Sequence, residues 1–238
     1  MAKKEDNRHY FSPGAKMADL VNSNISILGV IPRVGLSFGF GDDTVEEACR
    51  KHGVNANTFL LICSVYSLDG YLPSSEFLKK VDIRDVVKCL RRSHSYYTDA
   101  ANALADGIEQ MIEPCDDKYK KIIWKFFTEY KEELQKHFEY EEKMVFPYVE
   151  SVLEHHKNKD FTILQYEENH SNIEEKLDDL KNIVMKYLPK QCDTAKVYNV
   201  LLRIFTLEQD LRKHTIIEDD ILVPIVNRLE DDETEATA

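Results

Sequence analysis

The stretch His137-Phe-Glu-Tyr-Glu141-Glu-Lys-Met-Val-Phe-Pro147 decides the fold, because the chain carries its pattern twice. The second copy reads His214-Thr-Ile-Ile-Glu218-Asp-Asp-Ile-Leu-Val-Pro224. In each copy a Glu stands four residues after the His, and a Pro ten residues after it. Another His precedes each copy at nearly the same distance, 43 residues from His94 to His137 and 44 from His170 to His214. Residues four apart on a helix project from one face, stacked one above the other. Two imidazoles and one carboxylate, delivered twice by related segments, make the donor set that a two-metal site inside a helical bundle requires.

Working outward, residues from about 82 onward read as four long helical segments. Their breaks are Glu113-Pro114-Cys115-Asp116, His155-His156-Lys-Asn-Lys-Asp160 and Leu188-Pro189-Lys-Gln-Cys-Asp193. Asp82, Asp116, Asp160 and Asp193 are each placed to cap the helix that follows. Ile123, Phe126, Phe127, Tyr130 and Leu134 recur at helical spacing and predict a core-facing stripe. Pro147 and Pro224 predict local distortion late in the second and fourth helices. Short connections make neighbouring helices antiparallel. In such a hairpin, two residues meet at one height when their midpoint falls in the turn. The midpoints of His94 with His137 (115.5), Glu141 with His170 (155.5) and His170 with His214 (192) fall in the three breaks. A misplaced turn of two or three residues would move a donor by only about 3–5 Å along the axis. The six donors are therefore expected at one level of an all-α, antiparallel up-down four-helix bundle.

The domain reading is a polar leader over 1–12, a small helical module over 13–72, the bundle over 80–230 and an acidic tail over 231–238. In the N-terminal module, Met17, Leu20 and Val21 share a helical face. Thr44-Val-Glu-Glu47 is a capping box, and its helix stops at His52-Gly53. A further helix runs from Asn57 through Tyr66 to Asp69-Gly70, and Gly35-Leu-Ser-Phe-Gly-Phe-Gly41 is a loop. Such a module is too small to be stable without docking on the rest.

Hydrophobic residues make up 43% of the chain, enough for a real core, and charged residues 31%, enough for long exposed helix faces. The net charge of -12 argues against a nucleic-acid partner, since phosphate binding needs basic patches. Neither a signal peptide nor a membrane-length apolar run is legible. Five scattered Cys residues without a Cys-x-x-Cys argue for buried thiols in a reducing, cytoplasmic setting.

Imidazole-rich ligation with bridging carboxylates suits non-haem iron, with manganese and zinc as alternatives. Each ion would keep positions open for oxo, hydroxo, oxygen or nitric oxide. Glu133 and Asp210 stand four residues before His137 and His214. They read either as acceptors for the free imidazole N–H or as charges on a solvated face. Tyr97 and Tyr166 fall on the donor faces and read as core packing or as lining of the site. Glu174, four after His170, is either a seventh donor or a surface charge. His9, His52, His155 and His156 lie outside the pattern.

At these residues the chain resembles the hemerythrin-like, HHE cation-binding family of four-helix di-iron proteins. The motifs are His94, His137-x3-Glu141-x5-Pro147, His170 and His214-x3-Glu218-x5-Pro224. Within that family the four-His, two-Glu set is most similar to the repair-of-iron-centres proteins. The resemblance implies two iron ions, oxo- or hydroxo-bridged. It pairs His94 with His137 on one and His170 with His214 on the other, bridged by Glu141 and Glu218. It also implies small diatomic ligands or peroxide, and iron–sulfur proteins, as partners in cluster repair or the response to nitric oxide and oxidative stress. Iron or oxygen sensing and storage without turnover, or a di-iron peroxidase or oxidase, are the alternatives. Oxygen-carrying hemerythrins have a further His where Glu174 stands, which disfavours oxygen carriage. The N-terminal module is similar to that of the repair proteins at Met17-Ala-Asp-Leu-Val21, Arg33-Val-Gly35 and Thr44-Val-Glu-Glu-Ala-Cys49. Where theirs carries Cys-Cys-Gly-Gly, this chain has Ser37-Phe-Gly-Phe-Gly41.

Overall fold

Every regular element among residues 11–155, 161–169, 173–189 and 191–236, which the computed structural model describes, is helical. The N-terminal helices are α1 (Met17–Ser23), α2 (Ile27–Val34), α3 (Val45–His52), α4 (Ala56–Ser67) and α5 (Ser75–Leu78). Thr44 and Glu47 form the expected capping box on α3, which ends at Gly53 with φ 66°. Helix α2 is absent from the sequence reading because Gly29 and Pro32 interrupt it. The structure forms it because Ile27, Val30, Ile31 and Val34 make one buried stripe.

The long helices are α6 (Ile83–Ile112) and α7 (Asp117–Tyr140), then a π-helical turn (Glu141–Val145) running into α8 (Phe146–Leu153). After them come α9 (Ile163–Asn169), α10 (Glu174–Tyr187) and α11 (Thr194–Ile217), a second π-helical turn (Glu218–Leu222) and α12 (Val223–Ala236). The Asp116 carboxylate accepts the backbone N–H of Tyr119 at 2.9 Å. Asp193 accepts those of Ala195 and Lys196 at 2.9 and 3.0 Å, and Asp82 accepts that of Arg84 at 2.9 Å. The aspartates thus satisfy N–H groups that a helix start leaves without intrahelical partners. Asp160 and His156 lie outside the described residues.

The chain divides into two compact units, one of Met1–Ser93, Phe146–Glu168 and Lys213–Ala238, the other of His94–Val145 and Asn169–Arg212. In the first unit α4 is buried over Thr58–Tyr66 and forms the centre of the N-terminal helices. The backbone N–H of Asn55 donates to the buried carboxylate of Asp85 at 2.8 Å, tying α4 to the start of α6. Arg33, 3% exposed, donates to the Tyr66 hydroxyl at 2.9 Å. Gly35 sits at φ 94°, a left-handed conformation that favours glycine, and a Cβ there would press on the Arg92 guanidinium at 2.5 Å. The Glu230 carboxylate accepts from the Tyr148 hydroxyl and from the Ile163 N–H, fastening α12 to α8 and α9.

The second unit is a four-helix bundle with one core. Tyr97, Leu104 and Ile108 of α6 meet Ile123, Phe127, Tyr130 and Leu134 of α7; Leu177, Leu180 and Val184 of α10 join Val200, Ile204, Leu207 and Leu211 of α11. Phe126 departs from the expected stripe and is 40% exposed. At 100° per residue it falls about 70° from the line through Ile123, Phe127, Tyr130 and Leu134, at the stripe's edge. Gly107 lets α6 and α11 approach, with Val200 Cγ2 3.3 Å from where a Cβ would stand. Inside this unit Lys181 makes a 2.6 Å ion pair with Glu208, both nearly buried. No helix among the described residues is long and apolar enough to cross a membrane.

Candidate metal centre

Proline has no N–H to give to the carbonyl four residues back, and its ring crowds that carbonyl. Both prolines of the repeated motif follow a π-helical turn, Glu141–Val145 before Pro147 and Glu218–Leu222 before Pro224. Widening the turn relieves the crowding, and π-turns of this kind recur at functional sites. Each turn opens on the repeated Glu, and both side chains are fully buried at 0% exposure.

In the bundle unit, Glu141 lies between two imidazoles. Its Oε1 is 3.1 Å from Nε2 of His137, and its Oε2 is 3.0 Å from Nε2 of His94. The His94 ring is held from two further directions. Its Nδ1 lies 3.0 Å from Oε1 of Glu142, a carboxylate that can only accept, so Nδ1 carries the proton and donates. The ring also stacks on Phe138 at 4.1 Å between centroids. These contacts leave Nε2 as the donor atom. Neither Glu142 nor Phe138 emerges from the sequence reading. Their only signal is adjacency to Glu141 and His137, because their partner is 48 residues away for Glu142.

Tyr97 is fully buried, and its hydroxyl donates to Asp210 Oδ1 at 2.7 Å and to the Asp210 carbonyl at 3.2 Å. Glu133 is 48% exposed and pairs with Lys176 on the bundle surface, which favours the solvated reading of that residue. In the other unit, Nε2 of His214 is 2.9 Å from Oε1 of Glu218, the same i, i+4 contact as in the first motif. Tyr166 is 1% exposed. His170 lies outside the described residues. Glu174 opens α10, but its side chain lies outside them too.

The donor set fits a metal ion. Two ligands at right angles on an ion with bonds of about 2.1 Å stand about 3.0 Å apart. The three imidazole–carboxylate separations are 3.0, 3.1 and 2.9 Å. A nitrogen lone pair facing a carboxylate at that distance needs a proton or a cation beside it. His94, Glu141, His214 and Glu218 are all buried and all of metal-holding type. One carboxylate oxygen serves each imidazole, so a bridging Glu141 would place His94 and His137 beside different ions. The pairing implied by the resemblance would need both rings on one side of that carboxylate.

The profile of the hemerythrin HHE cation binding domain matches residues 85–226, more than half of the 238. The chain belongs to the hemerythrin HHE cation-binding family. A search of curated proteins finds no match to the chain. The hemerythrin match begins two residues into α6 and ends inside α12, so it takes in both His-x3-Glu motifs and both π-turns. As a hemerythrin-family chain it is a metal-binding protein, and iron is the typical metal of such domains.

Proposed function

We propose that this hemerythrin-family chain is a binuclear non-haem iron protein that acts in iron–sulfur cluster repair or in the response to nitric oxide and oxidative stress. His94, His137, Glu141, His170, His214 and Glu218 would hold the two ions. The observation that carries the reading is Glu141, fully buried with one oxygen to His94 and the other to His137, and matched by the second motif at His214–Glu218. Bound iron would supply redox change and open positions for a diatomic ligand or peroxide. The chain's own part is to exclude water by burying both carboxylates, and to fix the His94 tautomer through Glu142. Five buried free thiols agree with a reducing, cytoplasmic setting.

A specific feature favours a second reading, iron or oxygen sensing or storage, or peroxidase or oxidase chemistry, without thiol-assisted transfer. The N-terminal loop Ser37–Gly41 holds no cysteine. The module's Cys49 is 1% exposed, with burial and Asp85 pushing its thiol up to about 12, far from a reactive thiolate.

Metal analysis and the absorption spectrum of aerobically purified protein test the shared premise: about two irons per chain are expected, and an absence of iron after reconstitution would end both readings. Delivery of iron to an apo cluster protein faster than to a chelator supports repair. Multiple turnovers of peroxide or nitric oxide without delivery support the enzyme. A reversible oxygen-dependent band with neither supports the sensor.

A further inference from the structure

Two buried thiols meet at the end of the bundle remote from the metal donors. Cys115 lies in the turn between α6 and α7, and Cys192 in the turn between α10 and α11. Their Sγ atoms are 2.9 Å apart although 77 residues separate them in sequence. That is only about 0.9 Å longer than a disulfide bond. Both turns are anchored locally, by Cys115 N–H to Ile112 carbonyl at 2.9 Å and Cys192 N–H to Pro189 carbonyl at 3.1 Å. A small adjustment of two side chains, rather than a rearrangement of helices, would close the bond.

We propose that Cys115 and Cys192 are a reversible dithiol site that peroxide oxidises to an intramolecular disulfide, stapling the first interhelical turn of the bundle to the last. Cys192 reacts first. It is the more exposed, 9% against 6%, and Cys115 is pushed up to about 12 by burial and by its neighbour Cys192. The Cys192 thiolate attacks one peroxide oxygen; the O–O bond breaks, and the departing hydroxide takes a proton to become water. Cys115 sulfur then attacks the sulfenic sulfur, the S–O bond breaks, and the second water leaves with the Cys115 proton. Two thiols and one hydrogen peroxide give one disulfide and two waters; the sulfurs lose two electrons and the peroxide gains them. Cys49, Cys63 and Cys89 are buried as well. Cys115 is 21 residues from His94, about 30 Å along α6, so the staple forms without touching the donors.

The full-length chain, both as purified and after chelation, is titrated with hydrogen peroxide, alkylated, digested without reductant and mapped by mass spectrometry. The expected product is one cross-linked peptide pair joining Cys115 to Cys192, about 2 Da lighter than the reduced form and restored by dithiothreitol. Two of the five thiols should be lost. Because a 77-residue loop is closed, the oxidised form should melt several degrees above the reduced one. In Cys115→Ser, Cys192 should instead accumulate as a sulfenic acid trapped by dimedone; if that variant does not fold, the wild-type map decides alone. Peroxide that leaves both residues as thiols, drives Cys192 to sulfinic acid without a cross-link, or joins different chains overturns the proposal.

Discussion

Nδ1 of His94 donates to Oε1 of Glu142 across 3.0 Å, which turns the opposite ring nitrogen toward Oε2 of Glu141 at the same distance. Consecutive glutamates of one π-turn therefore act on the two nitrogens of one imidazole. The first lies between His94 and His137, and the second sets the His94 tautomer.

Loss of that second contact should weaken metal binding without removing a ligand. Glu142→Ala is expected to lower metal affinity about 10–100-fold, read by competition with a calibrated chelator. Glu142→Gln keeps an acceptor oxygen and should recover most of the loss. Equal affinity in all three proteins would show that Glu142 does not orient His94.

Each of Glu141→Ala and Glu218→Ala should leave the protein folded by circular dichroism but with well under half the wild-type metal content. Each removes a fully buried carboxylate from a His-x3-Glu pair. Full occupancy in both variants would rule the carboxylates out as ligands.

The ion pair between Lys181 and Glu208 is a structural counterpart outside the metal centre. Lys181 is 11% exposed in its side chain, and Asp178 also holds it at 2.6 Å. Glu208→Ala should destabilise the fold by about 2 kcal/mol, the scale of one hydrogen bond to a charged group, since Asp178 still holds the ammonium, measured by urea unfolding. Burial opposes the charge on Lys181, but the bonds to Asp178 and Glu208 outweigh it and raise its ionisation above the usual range. The folded state then holds this proton longer than the unfolded chain. The contribution is therefore present at neutral pH and lost only as pH climbs beyond about 10.4 and through the higher folded value. A flat stability profile across that alkaline window in wild type would contradict the pairing.

At the other extreme of pH the N-terminal helices should be sensitive. The backbone N–H and hydroxyl of Thr44, donating to Glu47, hold that carboxyl below its ordinary value. A depressed carboxylate stabilises above the unfolded-state value, near 4.3, and the benefit fades as pH falls through its lower folded value. Thr44→Ala should cost about 1 kcal/mol at neutral pH, and Glu47→Gln, which removes the titrating carboxyl, should flatten the acid limb of the melting profile. An unchanged acid limb would mean the box does not couple to folding.

Much of this architecture was legible before any coordinates. Asp116 and Asp193 mark helix starts because a short carboxylate beside free backbone N–H groups works within three residues. The His-x3-Glu pairs were legible for the same reason, since four residues is one turn of one helix. Phe126 was misplaced because it sits at the margin of a stripe whose width depends on the neighbouring helices. Helix α2 is not legible locally, since Gly29 and Pro32 stand against it, while burial of Ile27, Val30, Ile31 and Val34 favours it more strongly. The two readings of Glu133 could not be separated without Lys176, which lies 43 residues on.

Sequence alone determined the helical class, the interhelical breaks near 115 and 190, and the two His-x3-Glu pairs, because caps, prolines and one-turn spacings are encoded within a few residues. Tertiary structure alone decided which nitrogen of His94 faces Glu141, that Glu142 rather than Glu133 meets an imidazole, and that Cys115 meets Cys192. Those outcomes join residues 47, 48 and 77 positions apart. No local periodicity specifies such pairings; they are set by how helix faces pack and by the wider turn ahead of each proline.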